Sequence, residues 1–183
     1  MKILSLLGSP KKNGNTAVLL DKVIEGILSK NDADHEIIYL QDCDIKPCRG
    51  CKVCKRDRLS VCAIDDDMQE IYKKLDEADL IIMATPIYWW SVSAQLKLLI
   101  DRLYGMHFGE PGTNYENKRV VMLMTYGSEL PNSGPETVRN LFGEVCGYIR
   151  VKSGGVFGVC TEKLEVKDNP EALKNAFEFG MSI

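Results

Sequence analysis

Histidine is scarce in this chain. Only His35 and His107 occur in 183 residues, and neither stands in a pattern that pairs a nucleophile with a base. Hydrolytic catalysis therefore has no visible machinery. An excess of positive charge is also lacking: the formal net charge is -3, which leaves no basic stripe for nucleic acid. The local run of Lys46, Arg49, Lys52, Lys55, Arg56 and Arg58 is interleaved with cysteines and adjoins no nucleic-acid motif. It is better suited to offset thiolates or attract an anionic partner. No apolar run approaches the ~20 residues of a membrane span. Gly8-Ser9-Pro10 interrupts the first apolar run before it can form a signal sequence, so a cytoplasmic protein is expected. Neither a Walker loop nor a GxGxxG turn is found. Repeats, low-complexity tracts and flexible linkers are missing too, and a single domain over residues 1–183 is expected.

What is present is an alternation of strand and helix patterns. Strands are expected at Lys2–Leu7, Glu36–Leu40, Leu80–Ala84, Arg119–Thr125 and Arg150–Val159. Helices are expected at Asn15 to about Ser29, from Asp65-Asp66-Asp67 through Leu75, at Val92–Tyr104, from Pro135, and at Pro170–Phe179. Leu80–Ala84 is continuously apolar, as suits a central strand buried on both faces. This order predicts an α/β fold, a five-stranded parallel sheet in a doubly wound three-layer sandwich. Residues 41–64 show no period and form a connection too long for an idle loop.

Two loops lie where such sheets bind ligands, at the C-terminal strand ends. Ser9 to Thr16 joins the first strand to the first helix. There free N–H groups and the helix dipole favour an anion. Ser9, Asn15 and Thr16 offer side-chain donors, Gly14 allows close approach, and Lys11 and Lys12 add charge. A plain capped turn is the alternative. Thr85-Pro86-Ile87-Tyr88-Trp89-Trp90-Ser91 follows the central strand and sets three aromatics side by side, which can pack against a flat ring system. A subunit contact or core plug would explain the same residues. Thr125-Tyr126-Gly127-Ser128 ends the next strand at the same edge.

Seven cysteines are an odd number, and in a reducing compartment they argue for metal, redox chemistry or burial before disulfides. Cys48, Cys51 and Cys54 recur every third residue, and Cys62 follows after seven more. Four thiolates can ligate a 4Fe–4S cluster or tetrahedral zinc. Free thiols in a partly buried loop are the third reading. Cys43 lies just upstream, while Cys146 and Cys160 fit packed positions. Asp65–Asp67 reads as a helix N-cap cluster, and Asp101-Arg102 as a capping or subunit contact.

These segments together resemble the NADPH-dependent FMN reductase family of the flavodoxin-like superfamily, and within it the iron–sulfur flavoproteins. The resemblance spans nearly the whole chain. It rests on Gly8 to Thr16, on Cys48-Arg49-Gly50-Cys51-Lys52-Val53-Cys54 with Cys62 and Asp65-Asp66-Asp67-Met68, on Thr85 to Ser93, and on Lys97 with Asp101-Arg102. It implies sheet order 2-1-3-4-5 and FMN at the C-terminal edge. Ser9, Lys11, Asn13, Gly14, Asn15 and Thr16 would hold the phosphate. Pro86, Ile87, Tyr88, Trp89 and Ser91 would meet the ring and ribityl chain, with Thr125, Tyr126 and Gly127 on the remaining side. It also implies Cys48, Cys51, Cys54 and Cys62 as 4Fe–4S ligands, although Cys54 and Cys62 stand further apart than is usual in cluster-binding relatives. NAD(P)H is the implied cosubstrate, a ferredoxin-like protein an implied partner, and a homodimer or homotetramer the implied assembly. Three other functions fit the same residues: a quinone or nitro-compound reductase without a cluster, a passive electron carrier, and a zinc-stabilised or metal-free interaction module.

Overall fold

A computed structural model describes residues 1–56, 62–106 and 115–183. Arg58 and His107 lie outside these residues. Five parallel strands form the sheet: β1 (Lys2–Leu7), β2 (Asp34–Tyr39), β3 (Leu80–Tyr88), β5 (Arg119–Tyr126) and β6 (Lys152–Cys160). Their order is β2-β1-β3-β5-β6, and the two-residue β4 (Ser91–Val92) pairs antiparallel with the end of β3. Counting the five main strands alone, this is the expected order 2-1-3-4-5. The helices are α1 (Asn15–Leu28), α2 (Met68–Glu77), α3 (Ala94–Arg102), α4 (Ser133–Ile149) and α5 (Pro170–Ser182). No helix among the described residues is long and apolar enough to cross a membrane.

The sheet divides two cores. On one face α1 and α5 cover Ile3, Leu7, Leu80, Ile82, Val121 and Leu123. On the other, α2, α3 and α4 cover Leu4, Leu6, Ile81, Met83, Met122 and Met124. Successive strand residues thus supply opposite cores, which is why the central strands read as unbroken apolar runs. Helices α1 and α5 approach backbone to backbone. A Cβ at Gly26 would collide with the Phe177 carbonyl, and one at Gly180 with that of Val23.

The structure moves several expected boundaries. β3 continues past Ala84, because Thr85 and Pro86 still pair with Met124 and Thr125 of β5, while Ile87 and Tyr88 pair with Val92 and Ser91. The expected loop over 85–90 is therefore a hairpin. Val92 belongs to that hairpin, so α3 begins only after Ser93, whose Oγ accepts the Leu96 N–H. Glycine-rich β6 slips register against β5 between Val120 and Met122, and Gly155 there has φ of 106°. This is a bulge that a side chain would strain.

Candidate functional site

β1 ends at Leu7, and the chain turns at Gly8, whose N–H donates to the Ala84 carbonyl at 2.7 Å. A Cβ here would stand 2.8 Å from Leu96 Cβ and 2.9 Å from Ser93 Oγ, so the close approach to α3 needs glycine. Ser93 Oγ donates to the Gly8 carbonyl at 2.6 Å. The Ser93 N–H donates to Thr85 Oγ1 at 2.9 Å, and Thr85 Oγ1 to the Pro86 carbonyl at 2.8 Å. Ser93 and Thr85 are fully buried, and this relay fixes the first loop against the end of β3. Sequence reasoning missed Ser93 as a site-building residue. Its signal was small: a serine before an apolar helical run.

The next loop is built around the N-terminus of α1. Ser9 Oγ accepts the Lys11 N–H and lies 3.1 Å from the Lys11 carbonyl, so in this structure Ser9 shapes the turn. Lys11 and Asn13 are exposed. Lys12 is paired with Asp42 and lies 5.1 Å from the Tyr39 ring centre, which ties it to the start of the cysteine connection. Asn15 Oδ1 accepts the Val166 N–H at 2.9 Å. Thr16 and Thr125, 109 residues apart, share a buried hydrogen bond of 2.7 Å between their hydroxyls. Side chains close the N-termini of α3, α4 and α5. Helix α1 has Gly14 as its N-cap and no side-chain cap, leaving its first N–H donors for an anion.

Beside this loop stands the β3–β4 hairpin. Its two turn residues, Trp89 and Trp90, have φ of 49° and 59°. Two-residue hairpin loops demand such angles and favour Asn-Gly, so two tryptophans here are a local strain. Trp89 is 89% exposed, and Tyr88 and Trp90 are about half exposed. Helix α4 abuts the hairpin at Gly134, where a Cβ would lie 3.2 Å from Ile87 Cγ2. Tyr126, Leu130, Pro131, Asn132, Glu136 and Arg139 border a cleft of about 510 Å³ along the same edge.

The cysteine connection leaves β2 near the α1 loop. Cys48 and Cys51 are exposed, Cys54 and Cys62 half-buried. Gly50 and Lys52 both adopt left-handed φ, 63° and 58°, which coils the chain tightly between the cysteines. The Gly50 N–H donates to Cys48 Sγ at 3.4 Å. Burial, and then the nearby Cys62 and Cys48 sulfurs, push the Cys54 thiol above its ordinary value, while Lys55 opposes them. Among the described residues no three cysteine, histidine or carboxylate groups stand together as a formed metal site. Asp66, expected in a helix N-cap cluster, accepts the Met68 N–H at the start of α2 at 3.1 Å. It also forms a fully buried ion pair at 2.7 Å with Arg102, expected as a capping or subunit contact. Helix periodicity places Arg102 on α3 but cannot show that its partner lies 36 residues earlier.

A profile of NADPH-dependent FMN reductases matches residues 1–163. The chain belongs to the NADPH-dependent FMN reductase family. An iron–sulfur flavoprotein of Archaeoglobus fulgidus is 35% identical over 186 residues, covering 100% of this chain and 79% of that protein. One of Methanocaldococcus jannaschii is 41% identical over 109 residues, 60% of this chain and 55% of the relative. Three such relatives are matched over 55%, 63% and 52% of their own lengths, so this chain spans little more than half of each. A NAD(P)H:quinone oxidoreductase from Methanothermobacter marburgensis shares the fold, with a TM-score of 0.73 at 17% identity, covering 99% of this chain and 92% of that one.

For a member of the FMN reductase family, the chain brings most of the expected flavin residues to one edge. Ser9 to Thr16, Pro86 to Ser91 and Thr125 to Gly127 occupy the C-terminal ends of adjacent strands β1, β3 and β5. The uncapped α1 N-terminus fits a phosphate. The four thiols and the N–H donated to Cys48 suit the donor chemistry of an iron–sulfur cluster, whose sulfurs commonly accept backbone N–H bonds.

Proposed function

We propose that this chain is an FMN-dependent oxidoreductase of the iron–sulfur flavoprotein type. It takes electrons from NAD(P)H or a reduced ferredoxin-like protein and passes them to an acceptor. The observation that carries this is the uncapped N-terminus of α1 beside the Thr16–Thr125 pair and the aromatic hairpin, at the switch point of the sheet. Bound FMN would supply hydride acceptance and one-electron release.

The chain's own part is binding and orientation. The first N–H groups of α1 and Lys11 would hold the phosphate. The Ser93–Thr85 relay keeps the end of β3 in place, where backbone N–H groups from Ile87 to Trp89 would bind the polar edge of the ring. Tyr88 and Trp89 would flank the ring, and the exposed Tyr88, Trp89 and Trp90 suit a contact between copies in a homodimer or homotetramer. Cys48, Cys51, Cys54 and Cys62 would be the ligands of a 4Fe–4S cluster. The protein works in the cytoplasm, where thiols stay reduced.

A quinone or nitro-compound reductase without a cluster is the second reading, favoured by the finding that no three metal-ligating groups stand together among the described residues. Steady-state NAD(P)H oxidation with a quinone acceptor separates the two, since this reading predicts full turnover in iron-free, FMN-loaded protein. The flavin site itself is tested by titrating flavin-free protein with FMN and with riboflavin. Charge-assisted bonds to the phosphate should make FMN bind roughly 100-fold tighter or more. Equal affinities would remove the phosphate loop from the account.

A further inference from the structure

Arg102 is the bulkiest fully buried side chain among the described residues, with 1% of the residue exposed. Its Nη1 donates to the Lys46 carbonyl at 2.8 Å and to Asp66 Oδ2 at 2.7 Å, and its Nη2 donates to Asp66 Oδ1 at 3.1 Å. Lys46 stands just before Cys48, and Asp66 just after Cys62. One guanidinium therefore closes the neck of the whole cysteine connection. Asp66 Oδ2 also accepts the Lys46 N–H at 2.9 Å, so Lys46 is gripped from both sides of its backbone. The fork is anchored in turn, since Tyr72 Oη donates to the Arg102 carbonyl at 2.7 Å.

Cys62 lies against this anchor. A Cβ at Gly105 would stand 3.0 Å from Tyr72 Oη and 3.7 Å from Cys62 Cβ. Gln69 Nε2 holds the Cys62 carbonyl at 2.8 Å. Among the described residues, Arg102 Nε is the one buried side-chain nitrogen or oxygen without a hydrogen-bond partner. A buried ion pair is a weak stabiliser compared with apolar packing, and an idle buried donor weakens it further. Stability alone therefore does not account for this arrangement.

We propose that Arg102 is the positioning residue of the cysteine site. It pins Lys46 to Asp66 so that Cys48, Cys51 and Cys54 return towards Cys62, and it keeps its Nε–H for a sulfur there. This rests on reading the four cysteines as one centre, and not on the flavin reading.

The test is alkylation of the full-length, iron-free protein by iodoacetamide, with the rate at each cysteine read by peptide mass spectrometry. Arg102→Gln should speed Cys62 alkylation at least tenfold, leave core Cys146 unchanged and keep the wild-type affinity for FMN. Arg102→Lys, which keeps the charge but loses the fork, should fall between. The double variant Asp66→Leu/Arg102→Met leaves no unpaired buried charge, and should match Arg102→Gln in exposing Cys62. After anaerobic reconstitution with ferrous iron and sulfide, both should lose iron to a chelator at least tenfold faster than wild type. Two results would overturn the proposal: Cys62 no faster in either variant, or Cys146 rising in step with Cys62 in both, which would make Arg102 a general support of the fold. If wild-type protein takes up no iron, the cluster reading fails, while the alkylation rates still decide the role of Arg102.

Discussion

Thr16 and Thr125 show how a single hydroxyl pair can join the phosphate loop to the sheet. Both are buried. Thr16→Val leaves the Thr125 hydroxyl unpaired and should destabilise the protein by about 1–3 kcal/mol, whereas Thr16→Val/Thr125→Val should recover much of that loss. Denaturant melts of the three proteins check this. A second residue sets a pH dependence. His35 accepts or donates at 2.9 Å to Ser5, which is fully buried. Burial pushes its imidazole below the ordinary value, and the Asp21 charge only partly opposes this. The folded value is thus below the unfolded one, so the unfolded chain gains the proton first as pH falls. This contribution is present above about pH 6.5 and is lost as pH falls through the folded value. Thermal melts should show lower stability at pH 5.5 than at 7.5, and His35→Gln should flatten that slope. Thr16 could be suspected from its place at a helix start. Its tie to Thr125 could not, because nothing local relates residues 109 positions apart.

The β3–β4 hairpin sets local strain against placement. Trp89 holds a left-handed φ while its side chain is almost wholly exposed, so little burial offsets the strain. Trp89→Asn, better suited to that turn, should raise the stability of the flavin-free protein by about 0.5–1 kcal/mol and weaken FMN binding. Calorimetry with and without FMN reads both effects. Unchanged FMN affinity would mean that Trp89 lies off the flavin face. The sequence marked this segment by its three aromatics, but Pro86 pointed to a loop. Cross-strand pairing of Thr85 and Pro86 with β5 overrode that local signal. The α1–α5 contact was equally hidden. Gly26 sits inside an apolar helix pattern with no mark of its own, yet Gly26→Ala drives a methyl group into the Phe177 carbonyl. That change should cost about 1–3 kcal/mol, measured by denaturant unfolding.

At the scale of the molecule, strand–helix alternation carried the architecture, because each strand's burial is written in its own residues. Leu80–Ala84 could only be central, and β1 and β5 follow the same logic. The sheet then gathers three separate loops at one edge, so the candidate flavin site was readable as soon as the topology was. The candidate cysteine centre was readable as a set of thiols but not as a shape. Its geometry depends on a connection without periodicity and on a buried ion pair between α3 and the residues before α2. These two sites make one prediction. Protein purified without oxygen should show the absorption bands of oxidised flavin together with roughly four irons and four acid-labile sulfides per chain. Iron and sulfide without flavin would contradict the account, because the C-terminal edge of the sheet would then not be an FMN site.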